Sequence, residues 1–432
     1  MSENAANWEH CLEHAALSDV GLRRSNNQDS MAVAIANSQQ AWQQRGHLFV
    51  VADGMGAHAA GELASKLAVD TVPLSYQKLT DLPAPEALVA AVTDANAQIY
   101  SRGSASEDFR GMGTTIDSLL LLPQGAMVAH VGDSRAYRLR GNTYEQLTFD
   151  HSLVWEMRAA GQIPEGETPS YIPKNIITRS LGPGPSVQVD LEGPFPLQVN
   201  DTFLLCSDGL SGPVEDIEMG TILACLPPQQ AAQMLIDLAN LRGGPDNITV
   251  IVARVTGPQM ARQSESPTSN DQSAPRRPVP TLVWTLMGLF ALAAVGMFAL
   301  KFWAAGLAGL IGCLIMVIVA LIVRQSEAGP GAQADGRRFG RGPYTSCDCT
   351  PSDKSAAGLA GIVQQLRDAA SSEDWDIDWN RFNAFGTQAD QAVAAGDFSQ
   401  AVQQHCAAIG FMMTELKNQR GKKASDSSLD LI

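Results

Sequence analysis

Along the first 255 or so positions, short apolar runs alternate with longer stretches whose apolar residues recur every three or four positions. Residues 48–52, 113–122, 126–130, 136–140, 202–206 and 247–255 are compact and largely apolar, which predicts strands buried on both faces. Residues 59–69, 85–100, 152–160 and 229–241 carry the helical period. Mixing of this kind predicts an α+β or α/β domain with an ample core. Read with parallel connections, the pattern by itself leads to a doubly wound sheet.

The pattern then changes. Residues 257–280 shift to Ser, Gln, Pro and Arg, with little to bury, and read as a linker. Two uncharged runs of 20 residues follow, 281–300 and 304–323, separated by Lys301-Phe302-Trp303. At 1.5 Å per residue each is about 30 Å long, the thickness of a bilayer core, so 281–323 is expected to be a transmembrane helical hairpin. Arg276 and Arg277 precede it and Arg324, Arg337, Arg338 and Arg341 follow. By the positive-inside rule this multi-pass membrane anchor keeps both flanking regions in the cytoplasm. Residues 324–355 read as a second, Gly-rich linker, 356–420 as a helical region with one tetratricopeptide-like helix pair, and 421–432 as a disordered tail.

Composition narrows the function. Lys and Arg number 30 against 45 Asp and Glu, a formal charge of −15. This argues against a nucleic-acid partner, whose affinity needs clustered basic residues. The seven cysteines form no pair of CxxC motifs, and Cys347 and Cys349 lack nearby ligands for zinc, so reduced intracellular thiols are expected. The first residues show no basic segment followed by an apolar one, so no secretion signal is expected.

The candidate chemistry lies at the ends of the strands. Asp53 closes the run VVAD and is followed by Gly54-x-Gly56 and a helix, a junction that suits a turn, a phosphate or a metal. The glycine spacing fits neither a dinucleotide fingerprint nor a P-loop. Asp208 closes FLLCSD, Asp133 follows MVAHVG, Asp246 precedes ITVIVARV, and Asp29 lies in SNNQDS. Any one of these suits a turn. Together, five converging carboxylates would repel one another without a cation. All-oxygen donors suit Mg²⁺ and Mn²⁺. Two such ions sharing an aspartate can activate a bridging water and clamp a phosphoryl group, and Arg24 has the fork geometry that holds phosphate oxygens.

The motifs SDVGLRRSNNQDS, VADGMGAHAAGE, FRGMGTT, AHVGDSRAYRLR, DHSLVWEMRAAGQIP, ITRSLG, LLCSDGLSG and GGPDNITVIV resemble, in order and spacing, the bacterial PP2C-type (PPM) serine/threonine protein phosphatases. The resemblance covers residues 14–255 and implies an α-β-β-α sandwich, within an α+β catalytic domain at 1–256. It implies that Asp53 bridges two metals, with the Gly54 carbonyl as a backbone ligand. Asp208 and Asp246 match ligands of the first metal, Asp29 the acidic residue of the second, and Asp133 a ligand of a third, weakly held ion. Arg24 matches the phosphate-binding arginine, so Arg24 and Asp53 are the expected catalytic residues. Residues 150–181 resemble the flap that shapes substrate access. Four departures stand out: Gln28 in place of a common Glu, Met55 in place of a histidine proposed as general acid in eukaryotic members (with His58 nearby), Gly212 where a third-metal aspartate can stand, and Ala57 for a common glycine.

The expected activity is therefore Mg²⁺- or Mn²⁺-dependent hydrolysis of phosphoserine and phosphothreonine at the membrane, with two ions bound tightly. The expected partners are phosphorylated proteins, namely substrates of serine/threonine kinases or the kinases themselves, and a protein partner for 356–420. The alternative is a non-catalytic membrane scaffold that uses a phosphatase-like fold to bind phosphoproteins. Retention of all five aspartates speaks against it. Cysteine-based phosphatase chemistry needs Cys-x₅-Arg, which is absent.

Overall fold

The computed structural model describes residues 10–261 and 339–429, apart from 57–58, 164–171, 174–175 and 374, with side chains to residue 419 and isolated positions between 292 and 303. The expected membrane hairpin at 281–323 therefore lies almost wholly outside the described residues. Among those described, no helix is long and apolar enough to cross a membrane. The chain divides into two units, 264–336 and a larger one that joins 1–263 to 337–432.

The larger unit is built on two six-stranded sheets. One has the order β1 (Leu12–Asp19), β11 (Ile248–Val255), β10 (Thr202–Cys206), β7 (Arg135–Arg140), β8 (Thr143–Gln146), β12 (Thr345–Asp348). The other runs β2 (Asp29–Ala34), β3 (His47–Met55), β5 (Ile116–Leu122), β6 (Gly125–Val131), β9 (Asp190–Phe195), with the short β4 (Gly113–Thr114) paired to β3. Every pairing is antiparallel, so the doubly wound arrangement is excluded.

The strand pattern could not separate the two arrangements, because both faces of both sheets are covered. Phe49 and Val51 of β3 meet Phe203 and Leu205 of β10 between the sheets. Leu48 and Val50 face outward onto α2 (Ala60–Lys78) and α3 (Ala84–Ser104). On the other sheet Leu204, Val250 and Val252 face α6 (Asp216–Cys225) and α7 (Pro228–Leu241). Period-two alternation thus delivers side chains to two apolar layers, and no polar face remains to show in the sequence. The result is the expected α-β-β-α sandwich, completed by α1 (Gln39–Arg45), α4 (Leu153–Ala159) and the single turn α5 (Asp208–Ser211).

The C-terminal region departs from expectation. Within the expected linker 324–355, Thr345–Asp348 forms β12 and extends the first sheet by pairing with β8. Helices α8 (Asp353–Ser372), α9 (Trp379–Ala394) and α10 (Phe398–Leu429) then cover α6 and α7. Leu359, Leu366, Phe382, Val402, Ile409 and Met412 share one core with Ile222, Leu235 and Leu238. Gln403 Nε2 donates to the Cys225 carbonyl at 2.8 Å, and Lys417 Nζ reaches Asp237 at 3.3 Å. The expected helical region at 356–420 is thus an outer layer of the sandwich. Nor is the chain disordered from 421, since α10 runs on to Leu429. Extending a helix already nucleated by packing costs little per residue.

Candidate metal centre

The two sheets bring their candidate carboxylates to the same end of the sandwich. Asp29 and Asp53 are direct partners across β2 and β3. Asp133 lies in the turn between β6 and β7, Asp208 opens α5 directly after β10, and Asp246 lies two residues before β11. Burial pushes the Asp53 carboxyl well above the usual range, and the charges of Asp29, Asp208, Asp133 and Asp246 push it further. Asp53 keeps an edge open to solvent, but protein surrounds it densely enough that these charges are poorly screened. Burial likewise raises Asp29 to about 6 and Asp133 to about 7. Asp208 is raised by burial and by the charge of Asp246.

Backbone close approach fixes the mouth of this site. A Cβ on Gly54 would lie 2.1 Å from the Gly61 carbonyl oxygen and 2.6 Å from that of Gln28, so only glycine lets β3 pass under the first turn of α2. The Gly54 N–H donates to the Gln28 carbonyl at 3.1 Å. Arg24 stands at the rim, half-exposed, with Nη2 2.6 Å from Asp246 Oδ2.

A hard divalent cation fits this donor set. Asp29 Oδ1 and Asp133 Oδ1 are buried oxygens without a hydrogen-bond partner, an expensive state unless something positive is there to meet them. The donors are carboxylates and a backbone carbonyl, the chemistry of Mg²⁺ and Mn²⁺ sites. Among the described residues no three His, Cys, Asp or Glu side chains close on a single point as a ready-made cage.

The model of the protein phosphatase 2C family matches residues 23–237. A serine/threonine phosphatase of Listeria welshimeri, Stp, is 37% identical over 239 residues, 54% of this chain and 92% of the relative. The protein phosphatase PhpP of Streptococcus pneumoniae is 37% identical over 55% of this chain and 96% of its own. The crystal structure of the serine/threonine phosphatase PstP/Ppp of Mycobacterium tuberculosis superposes with a TM-score of 0.51 at 36% identity, covering 57% of this chain and 99% of that one. The chain belongs to the protein phosphatase 2C family. It is an enzyme of that type, a protein phosphatase.

Within this phosphatase, several residues that sequence reasoning passed over hold the carboxylates in place. Asn247 accepts from the Gln28 N–H at 2.8 Å and donates to the carbonyls of Val20 and Asn26 at 2.9 and 3.0 Å. It thereby ties the Arg24 loop to the Asp246 loop. Ser207 donates to Asp29 Oδ2 at 2.7 Å and accepts from the Thr249 N–H at 3.0 Å. Thr115 accepts from the Asp53 N–H at 2.9 Å and meets Ser134 Oγ at 2.7 Å. Only their places within the quoted motifs hinted at these roles.

The expected flap, 150–181, is described in part. Helix α4 rises from its first foot, and Ser152 bridges Ile177 in the second. His151 Nδ1 accepts from the Gly132 N–H at 3.0 Å, so its proton lies on Nε2 and goes to Asp190 Oδ2, also at 3.0 Å. That ring fastens the flap's foot to the turn bearing Asp133. Trp155, Arg135 and Gly212 line a cavity of about 310 Å³ together with Asp133 and Asp208. Met55 ends β3 and has no proton to give; Ala57 and His58 lie outside the described residues.

Proposed function

We propose that the protein hydrolyses phosphoserine and phosphothreonine in other proteins, using a binuclear Mg²⁺ or Mn²⁺ centre, and that it does so at the cytoplasmic face of a membrane. The observation that carries the reading is the gathering of carboxylates at one end of both sheets, with Asp29 directly opposite Asp53 across β2 and β3. Burial first, and then the charges of Asp29, Asp208, Asp133 and Asp246, hold the Asp53 pKa up. Asp53 would serve both ions, with the Gly54 carbonyl as a further backbone ligand, Asp208 and Asp246 holding the first ion and Asp29 serving the second. Asp133, beside Gly212 rather than a second carboxylate, would hold a third only weakly. Bound there, the ions supply positive charge and an activated water at neutral pH. Arg24 grips the phosphate oxygens from the rim, and Ser207, Asn247 and Thr115 keep the carboxylates from relaxing apart. Relatives named as serine/threonine phosphatases support the substrate class.

The membrane part rests on two uncharged 20-residue runs between arginine-bearing flanks. Confinement to that surface would raise the local concentration of membrane-associated phosphoproteins, kinases among them. The deciding experiment is hydrolysis of a phosphothreonine peptide with Mn²⁺, with Mg²⁺ and in chelator, on protein recovered from the membrane fraction. Full turnover in chelator would refute the metal assignment. Recovery of the full chain in the soluble fraction would refute the anchor.

A further inference from the structure

The segment that follows the apolar runs in sequence forms a strap along the sandwich, linked through two aromatic contacts to the cavity lined by Trp155, Asp133 and Asp208. Phe339 exchanges backbone hydrogen bonds with Gly193 of β9, at 2.6 and 3.2 Å. Next to it Glu192, 2% exposed, accepts from the Gly342 N–H at 2.9 Å and from Tyr344 Oη–H at 2.5 Å. Burial raises the Glu192 pKa while these two donors lower it, so the strap supplies what a buried carboxylate needs. A Cβ on Gly340 would fall 1.9 Å from Glu192 Oε2, so the strap backbone rests directly on that carboxylate. Beyond it, the Tyr344 N–H donates to the Gln146 carbonyl at 2.8 Å and β12 begins.

Held by these bonds, the Tyr344 ring presses edge-on against Phe149 at 5.5 Å between centroids, and Phe149 meets Trp155 of α4 edge-to-face at 5.3 Å. The Arg135 guanidinium lies 5.7 Å from the Trp155 ring centroid. Trp155 and Arg135 are walls of the cavity that also holds Asp133 and Asp208. The matched PstP/Ppp structure is covered to 99% by 57% of this chain.

We infer that Tyr344 is a positioning residue for the substrate peptide, which acts through Phe149 to set Trp155 on the flap helix. The inference rests on the phosphatase reading. Trp155 presents its ring in the wall of the cavity that also holds Asp133 and Asp208, where residues flanking a phosphorylated side chain would pass, whereas the phosphate itself would be met by Arg24 and the ions the aspartates hold. Loosening the Phe149–Trp155 stack should weaken capture of flanking peptide without touching the reacting atoms. The strap thus couples the outer helical layer, through β12, to substrate recognition.

The test compares a phosphothreonine peptide with p-nitrophenyl phosphate, which has no flanking chain, on the full-length protein in mild detergent with Mn²⁺. Tyr344→Leu keeps bulk but loses the ring edge and the hydroxyl. It should raise KM for the peptide about tenfold, leave kcat within twofold, and leave KM for p-nitrophenyl phosphate within twofold. Tyr344→Phe retains the ring and should stay within threefold of wild type on the peptide, even where its melting temperature falls. Equal movement of both KM values in Tyr344→Leu, or movement of neither, would overturn the inference. If Tyr344→Leu does not fold, a peptide KM for Tyr344→Phe within threefold of wild type upholds it and a larger rise overturns it. Wild-type protein inactive on both substrates would instead count against the phosphatase reading.

Discussion

Arg24 Nη2 lies 2.6 Å from Asp246 Oδ2, so the guanidinium proposed to grip phosphate is in contact with a carboxylate proposed to hold a cation. The two side chains are 50% and 33% exposed, and such surface pairs contribute roughly 0–1 kcal/mol. The arginine is therefore free to turn towards substrate at small cost. Arg24→Ala should raise KM for a phosphopeptide more than it lowers kcat, and should lower the melting temperature by little. Steady-state kinetics at saturating Mn²⁺ check this; an unchanged KM with a collapsed kcat would place Arg24 in the transition state alone.

Asp53 gives a prediction with two signs. Asp53→Asn should cut kcat by roughly 10²–10³-fold or more, as loss of a central electrostatic group does. In chelator the same change should raise the melting temperature, because burial and the charges of Asp29, Asp208, Asp133 and Asp246 penalise ionisation of Asp53, and an amide carries no such penalty. Added Mn²⁺ should stabilise the wild type and do much less for the variant. Thermal unfolding with and without Mn²⁺ separates these outcomes, and a variant less stable than wild type in chelator would contradict the crowding of charge.

The convergence of the aspartates was legible because a carboxylate at the edge of an apolar run has few other reasons to recur five times. The residues that hold them were not. Asn247, Ser207 and Thr115 are small polar residues of the kind that fill any turn, and partners such as Asp29, Val20 and Asp53 lie 178, 227 and 62 positions away in sequence. The sandwich itself was legible through the family motifs and not through periodicity, since Leu48 to Ala52 feed two cores at once. The strap was missed because Gly340, Gly342 and Pro343 read as linker, and nothing local reveals that Glu192 waits for them.

Asn247 should therefore matter as much to folding as to catalysis. Asn247→Ala leaves the Gln28 N–H and the carbonyls of Val20 and Asn26 without their partner. An unsatisfied buried group costs about 1–3 kcal/mol, so a loss in that range is expected in denaturant unfolding. Affinity for Mn²⁺ should fall with it, as the Arg24 and Asp246 loops part. A variant with unaltered stability would show that the three bonds are replaced by water.

Asp190 sets a pH dependence away from the carboxylate cluster. Burial alone would raise its pKa, but the His151 N–H and the Arg179 guanidinium outweigh that and hold it at about 2, below the ordinary 3.8. A depressed carboxylate stabilises the fold above the unfolded pKa, and the gain is lost as the pH falls from about 4 towards 2. At 1.36 kcal/mol per pKa unit, discounted for partial exposure, it is worth about 1–2 kcal/mol at neutral pH. Asp190→Asn should therefore unfold at a lower temperature than wild type at pH 7, and the gap should narrow towards pH 2–3. A gap that does not change with pH would assign the effect to packing instead.

The outer helical layer yields the last prediction. All the matched family motifs end by Val255, yet Leu235, Leu238 and Ile222 share their core with α8, α9 and α10. Ending the chain at residue 261 should leave catalysis of small substrates intact, because no proposed ligand lies beyond Asp246. It should also expose the apolar faces of α6 and α7 and the free edge of β8, surfaces that promote association. Replacing 262–338 by a flexible Gly/Ser segment of about 20 residues, which reaches on the order of 25 Å, should restore the covered state. The shortened chain should then melt several degrees below the rejoined one and self-associate in light scattering. Equal melting temperatures and a monomeric short chain would mean that the layer rests on the phosphatase domain without supporting it, and a role confined to binding partners would be the better account of residues 353–429.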